Sequence, residues 1–412
     1  MKMNQRTAAA GALLLLLTAC AGAGPSGPKW SADERKAAAA AIDPRIAEAS
    51  RSFGLKLHQQ MSDAGKGENV VISPASVSAA LALAYTGSSG ETAKEIAAAL
   101  GWDGMSENEL NEANRRMTEL LTASGGGVKL TIANSVWTAA HTVFHKPYLQ
   151  TVKDYYQAEV RSADFASPKT TDVINSWVSK RTEGKIRKLL EERLPADSAA
   201  VLLNAVYFNA SWTDPFKKGD TQDDNFTLPD GAVKKVPMMR QTRTYAYSEH
   251  EAWQAVKLPY GDGRMNMLLV LPKETSSLDE LNRQLWSDCL PCRQTFEPVR
   301  VDLRLPKFKV EYTAQLKDAL TGIGMSLAFD PGRADFRKMA DVHPLYISGV
   351  THKTYLDVNE EGTEAAAATG AMMAGSAPPS KPVDMVVNRP FFFAIEDSHT
   401  GSWLFLGTIT NP

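Results

Sequence analysis

The sequence predicts an α+β fold in one large domain, and three observations carry that prediction. Apolar residues recur at helical spacing through most of the first half, whereas short alternating or fully apolar runs bounded by turn residues fill the second half. The two patterns are segregated rather than interleaved, which argues against a βαβ sheet. Residues 45 to 412 contain no internal repeat and no linker-like composition.

The elements follow in chain order. Ile46, Phe53, Leu57 and Met61 share one helical face. Asn69-Val70-Val71-Ile72-Ser73-Pro74 is a short buried strand entering a helix, with Ser73 placed to cap the helix and Pro74 in its first turn. That helix, Ala75 to Thr86, is apolar nearly all round and should be buried. Gly87-Ser88-Ser89-Gly90 breaks it, and Glu91 to Leu100 forms the next helix. Asn108 to Leu121 is amphipathic with mixed charge, Val128 to Trp137 alternates as a strand, and Lys146 to Tyr156 is helical. Thr171 to Leu190 is predicted as one helix with a basic second half. Ala199 to Phe208 is an apolar strand buried on both faces. Short strands then dominate: Lys235 to Met239, Gln254 to Leu258, Met265 to Leu271, Val299 to Leu305, Val350 to Val358, Phe391 to Ile395 and Trp403 to Ile409.

Composition excludes several function classes. The 412 residues are 43% hydrophobic and 22% charged, as in an ordinary globular protein, and the net charge of -2 argues against nucleic acid as a partner. No Gly-x-Ser-x-Gly elbow and no Gly-rich phosphate loop occurs, so no enzyme activity and no cofactor are expected. His141 and His145 are four apart but have no carboxylate between them, so no metal site is expected. Arg115 and Arg116 lie among Glu107, Glu109, Glu112 and Glu119, which argues against a heparin-type site.

The N-terminus reads as a targeting segment. Lys2 and Arg6 precede a short apolar run, Ala8 to Leu17, which ends at Leu17-Thr18-Ala19-Cys20. That ending resembles the lipobox of bacterial lipoproteins. The resemblance implies a signal peptide over residues 1–19, an acylated Cys20 and attachment to the cell envelope (the outer membrane in a Gram-negative host), with ordinary secretion as the other outcome. Residues 20–44 are then expected to be a flexible tether, rich in Ala, Gly, Ser and Pro. Cys289-Leu290-Pro291-Cys292 could be a redox pair, half a zinc site or a local disulfide. Zinc would need two more ligands, and an exported chain favours a small structural disulfide or a free pair.

The stretch from Asp357 to Phe393 stands apart. Strand-like ends flank Glu360-Glu361-Gly362-Thr363-Glu364, four alanines from Ala365 to Ala368, and a Gly-, Ser- and Met-containing run ending at Pro378-Pro379. Apart from Met372 and Met373 its middle has no large apolar residue with which to anchor itself. By composition it is either a flexible linker or a functional loop.

Several separated segments resemble the serpin family. Asn69-Val70-Val71-Ile72-Ser73-Pro74-Ala75-Ser76 is similar to the start of the family's helix B. Leu203-Asn204-Ala205-Val206-Tyr207-Phe208, followed by Ser211-Trp212, is similar to the central third strand of its sheet A. Leu305-Pro306-Lys307-Phe308 resembles the start of the sixth strand, and Tyr346 to Thr363, with His352, the fifth strand and the hinge of the reactive loop. Val387-Asn388-Arg389-Pro390-Phe391 and Gly407 to Pro412 resemble the family's C-terminal signature.

The resemblance implies a serpin fold of three β-sheets and about nine helices, with an exposed reactive-centre loop at about residues 360–384. It implies an irreversible suicide-substrate inhibitor. A target serine protease cleaves the loop, and the loop inserts into sheet A with the protease still attached as a covalent acyl complex. A non-inhibitory serpin acting as a cell-surface binding protein is the alternative. A monomer is expected. Counting from Glu360 as the family does puts the reactive bond between Ser376 and Ala377, with Met372 or Met373 as alternatives. The hinge comprises Glu360, Glu361, Gly362, Thr363, Glu364, Ala365, Ala366, Ala367 and Ala368. Ser73, Ser76, Asn204 and His352 match the family's shutter, and Trp212, Lys307 and Glu360 its breach.

The residues themselves suit that role. Counting in twos from Thr363, the side chains that would enter a core are Thr363, Ala365, Ala367, Thr369, Ala371 and Met373, and Glu364 falls on the other face. Nothing charged would have to be desolvated. No Arg or Lys lies between Glu364 and Pro379, so elastase-, subtilisin- or chymotrypsin-like pockets fit better than a trypsin-like one.

Overall fold

A computed structural model describes residues 30–65, 67–123, 125–363 and 381–412. Cys20, Glu364, Ala365, Ala366, Ala367, Ala368, Thr369, Ala371, Met372, Met373, Ser376 and Ala377 therefore lie outside the described residues.

The first half is helical, as its periodicity predicts: α1 (Ala32–Ala40), α2 (Pro44–Ala64), β1 (Val70–Ile72), α3 (Pro74–Gly87), α4 (Gly90–Leu100), α5 (Glu107–Thr122), β2 (Val128–Ala139), α6 (Lys146–Thr151), β3 (Glu159–Ala163), α7 (Lys169–Arg181) and β4 (Ala200–Ser211). Strands dominate the rest: β5 (Gln222–Thr227), β6 (Val233–Glu249), β7 (Trp253–Tyr260), β8 (Met265–Pro272), α8 (Leu278–Asp288), α9 (Leu290–Arg293), β9 (Glu297–Pro306), β10 (Phe308–Gln315), α10 (Lys317–Gly322), β11 (Ile347–Asn359), β12 (Gly362–Thr363), β13 (Val383–Val386), β14 (Phe391–Asp397) and β15 (Trp403–Ile409).

Six strands form one sheet in the order β10-β11-β12-β4-β2-β3, in which β11 also pairs directly with β4. Nine form a second path, β1-β15-β14-β8-β7-β6-β9-β13, with β5 on β6. The long strand β6 gives that path two sectors. Its residues 238–247 pair with β9, and residues 246–249 pair with β7. Counting the sectors separately gives three sheets.

Helix α3 holds the layers together. Ser73 caps it, accepting from the Ser76 amide at 3.4 Å. Val77, Leu81 and Leu83 are fully buried, each contributing about 2 kcal/mol of burial. The helix packs on β2 and β4 of one sheet and on β15 of the other, so an all-round apolar sequence is what its position requires.

Two expectations are corrected. The tether expected over residues 20–44 is helical and docked from Ser31 onward. Ser31 and Glu34 form a reciprocal cap on α1. Arg35 is buried, donates to the Trp30 carbonyl at 2.5 Å and pairs with Asp262. A low-complexity alanine run is thus held by one cation and a cap. The helix expected over Thr171 to Leu190 stops at Arg181. Thr182 donates its hydroxyl to the Val178 carbonyl and accepts from the Ile186 amide, while Glu183 and Gly184 take left-handed backbone, which turns the chain out of the helix. Ile186, Leu189 and Leu190 then pack with α7 against β4 and β11 in a second small core. Cys289 and Cys292 are joined in a disulfide between α8 and α9, one of the two structural alternatives.

Candidate functional site

The site is the seam between β11 and β4. The two strands pair in parallel from Ile347 opposite Ala200 to Tyr355 opposite Tyr207, so this stretch of the sheet is closed. Above it they diverge. Glu360 and Glu361 turn the chain back after Asn359, and Gly362 and Thr363 enter between the strands as β12, antiparallel to both. This corrects the expected start of the exposed loop, because Glu360 and Glu361 form a tight turn, Gly362 and Thr363 already belong to the sheet, and Thr363 is fully buried. Glycine is required at position 362: φ is +147°, and a Cβ would lie 2.1 Å from the Ala210 carbonyl oxygen. The Thr363 hydroxyl shares a hydrogen bond of 2.7 Å with the Tyr260 hydroxyl, which satisfies both buried groups. Further along the chain, Val383–Val386 form β13, parallel to β9.

The expected breach residues come together around this turn. Lys307 Nζ lies 2.9 Å from Glu360 Oε2, and Thr221 donates to Glu360 Oε1 at 2.9 Å. Burial alone would raise the Glu360 carboxyl, but Lys307 and Thr221 outweigh it and hold it below its ordinary value. Trp212 stacks on Tyr260 with ring centroids 4.2 Å apart and donates through Nε1 to the Asn359 carbonyl. Its amide donates to the Glu361 carbonyl at 3.0 Å, and Lys218 pairs with the Glu361 carboxylate at 2.8 Å.

The four expected shutter residues also come together, in one buried hydrogen-bond network. The Ser73 amide donates to His352 Nε2 at 3.1 Å, so that nitrogen carries no proton. The proton is therefore on Nδ1, which donates to Asn204 Oδ1 on the neighbouring strand. Asn204 Nδ2 donates to Ser76 Oγ and to Asn134 Oδ1, each at 2.5 Å. Burial pushes the imidazole down to about 3, which keeps it neutral. Asn134 escaped the sequence reading. Its signal was a polar residue in the apolar strand pattern of residues 128–137, and only the pairing of β2 with β4 sets it opposite Asn204.

A family model described as Serpin (serine protease inhibitor) matches residues 48–412. The chain belongs to the serpin family. It is 34% identical to human Serpin B3 over 389 residues, covering 89% of this chain and 99% of that one. The crystal structure of a thermophilic serpin, tengpin, in the native state superposes with a TM-score of 0.82 at 34% identity, covering 90% of this chain and 95% of that one. Human thyroxine-binding globulin, solved with thyroxine, superposes with a TM-score of 0.82 at 28% identity, covering 89% of this serpin and 98% of the globulin. Serpins are in general protease inhibitors, and some are not inhibitory.

Proposed function

We propose that this serpin is an irreversible suicide-substrate inhibitor of serine proteases with elastase-, subtilisin- or chymotrypsin-like pockets. The protease serine attacks the Ser376 carbonyl, an acyl-ester forms, and the Ala377 amine leaves. Loop insertion between β11 and β4 then outruns hydrolysis of the ester. The observation that carries the reading is the register of β12. Thr363 lies opposite Ala210 and Val358. Continuing that register downward sets Ala365 opposite Phe208, Ala367 opposite Val206, Ala371 opposite Leu202 and Met373 opposite Ala200, on the face of the main core. Every side chain that would enter that core is small or flexible, and Ser376 lies just past the end of β4. Thr369 would arrive between Asn204 and His352. Insertion must break their hydrogen bond, and a hydroxyl there can accept from His352 Nδ1 and donate to Asn204 Oδ1, leaving neither buried group orphaned. Cys20 is proposed as the lipid anchor that holds the inhibitor at the cell envelope, with Ala32–Ala40 docked on the serpin body as the end of the leash.

Incubation with elastase, subtilisin, chymotrypsin and trypsin tests the reading. The expected result is an SDS-stable covalent complex with one of the first three, a released peptide beginning at Ala377, and a cleaved form that melts well above the intact one. Cleavage by every protease with no complex and no gain in heat stability overturns it in favour of a non-inhibitory binding protein.

A further inference from the structure

Beneath α7, a cleft of about 530 Å³ opens between the segment that leads from α7 to β4 and strands β10 and β11. Five cations line it. Lys185, Arg187 and Lys188 come from the segment, Lys309 from β10 and Lys353 from β11. Two carboxylates face them, Glu191 and Glu311, both more than half exposed and each in a loose ion pair with Lys353. Asp357 lies beside Lys309 on the neighbouring strand. Arg187 and Lys188 are exposed and pair with no carboxylate among the described residues. Lys309 and Lys185 sit over the rings of Tyr355 and Tyr207.

Lys353 is the decisive residue. It is only 6% exposed, yet among the described residues its ammonium has one hydrogen bond, to the Lys188 carbonyl at 2.7 Å. The carboxylates of Glu191 and Glu311 stop at 3.7 and 3.9 Å, beyond hydrogen-bond reach. A buried ammonium has three donors, and leaving two without an acceptor at hydrogen-bond distance is costly. Around it stand an exposed guanidinium and an exposed ammonium on one side and a second ammonium on the other, converging on a cleft large enough for several oxyanion groups.

We propose that this cleft binds a compact multivalent oxyanion of the phosphate class, such as pyrophosphate or tripolyphosphate. Its oxygens supply the acceptors that Lys353 lacks, and Arg187 and Lys188 close over the outer charge. The position gives the ligand a consequence. Ile186, Leu189 and Leu190 of the same segment cover Leu203, Ala205, Tyr207 and Tyr355 at the β11–β4 seam. An anion held by Arg187 and Lys188 on the segment and by Lys353 on β11 fastens the cover to the strand that must move. Binding stands apart from inhibition, whereas the effect on loop insertion rests on the function proposed above.

Calorimetric titration of the full chain with tripolyphosphate in 0.15 M NaCl, with sulfate at matched ionic strength as control, tests the site. The expected result is saturable binding, weakened at least roughly tenfold in the R187A/K188A variant, whose side chains are exposed and whose loss leaves the core intact. Lys353→Met, checked for native circular dichroism, is expected to abolish the heat. Vesicles of phosphatidylglycerol form the second arm; co-sedimentation that the same variant loses assigns the phosphate to a lipid headgroup. A flat titration in both arms, or equal affinity in wild type and R187A/K188A, overturns the site. Saturable binding that leaves the rate of SDS-stable complex formation unchanged overturns the fastening role. Binding without any complex for any protease retains the site and defeats the inhibitor reading instead.

Discussion

Glu360 is the residue on which the closed turn depends. Its carboxylate is nearly buried and is answered by Lys307 and Thr221, while its carbonyl accepts from the Phe216 amide at 2.8 Å. Losing one partner of a fully buried pair costs ~3–5 kcal/mol, and because Lys307 is one-third exposed, solvent screening brings the cost below that range, to about 2 kcal/mol. Glu360→Lys sets two ammonium groups face to face and is expected to drive the hinge out of the sheet. Size-exclusion chromatography should then show polymers, and the stoichiometry of inhibition should rise. An unchanged monomer with unchanged kinetics refutes the role. The same scale shows what one residue type can hide. Gly362 is legible as a hinge from sequence, but the reason for glycine is a carbonyl on a strand some 150 residues away in the chain.

At the scale of elements, β12 is two residues long and carries no propensity signal of its own. It exists because β11 and β4 diverge and offer unpaired backbone on both sides. Extension of this wedge would replace the parallel pairing of β11 with β4 by two antiparallel ladders, each slightly more stable per residue. Thr369 marks the point where that exchange meets the shutter. Thr369→Val keeps the shape and removes the hydroxyl, leaving His352 Nδ1 or Asn204 Oδ1 without a partner once the strand arrives, at about 1–3 kcal/mol. The expected outcome is more cleaved, uncomplexed serpin per mole of complex, with acylation unchanged. Equal partitioning between wild type and variant sinks the proposed register. The element scale also explains the overrun of the predicted helix beyond Arg181: its apolar spacing continues through Ile186, Leu189 and Leu190, but a threonine hydroxyl and two left-handed residues redirect it.

For the whole molecule, two buried neutral histidines tie stability to pH. His58 accepts from Trp286 Nε1 at 3.0 Å between α2 and α8, and His352 lies in the shutter. Burial pushes both down to about 3, against about 6.5 in an unfolded chain. Between those values the unfolded chain binds more protons than the folded one, so stability is full above about pH 6.5 and is lost as pH falls toward 3. Carboxylates join later. Glu112, held down to about 2 by hydrogen bonds from Arg115 and Arg116, adds to the loss only below the ordinary glutamate range. Thermal midpoints at a fixed scan rate are therefore expected to decline already between pH 6.5 and 5. His58→Gln should flatten that decline by about half, and an identical slope in the variant contradicts the assignment.

The sequence by itself determined many of the elements and the chemistry of the hinge. Period and capping are local properties, so Ser73-Pro74 could announce α3, and the small residues from Ala365 to Ala371 could announce side chains fit to be buried. Resemblance supplied the shutter and breach, because their residues recur in recognisable strings. Tertiary structure alone decided the rest. It set Asn134 beside Asn204, docked α1 through Arg35, and brought five cations from three elements into one cleft. It also decided that Gly362 and Thr363 are already between β11 and β4 while those strands remain paired below. The physical reason is that strand pairing is a competition among distant partners of nearly equal quality. Each strand's own pattern says which face is buried, but not which neighbour will bury it.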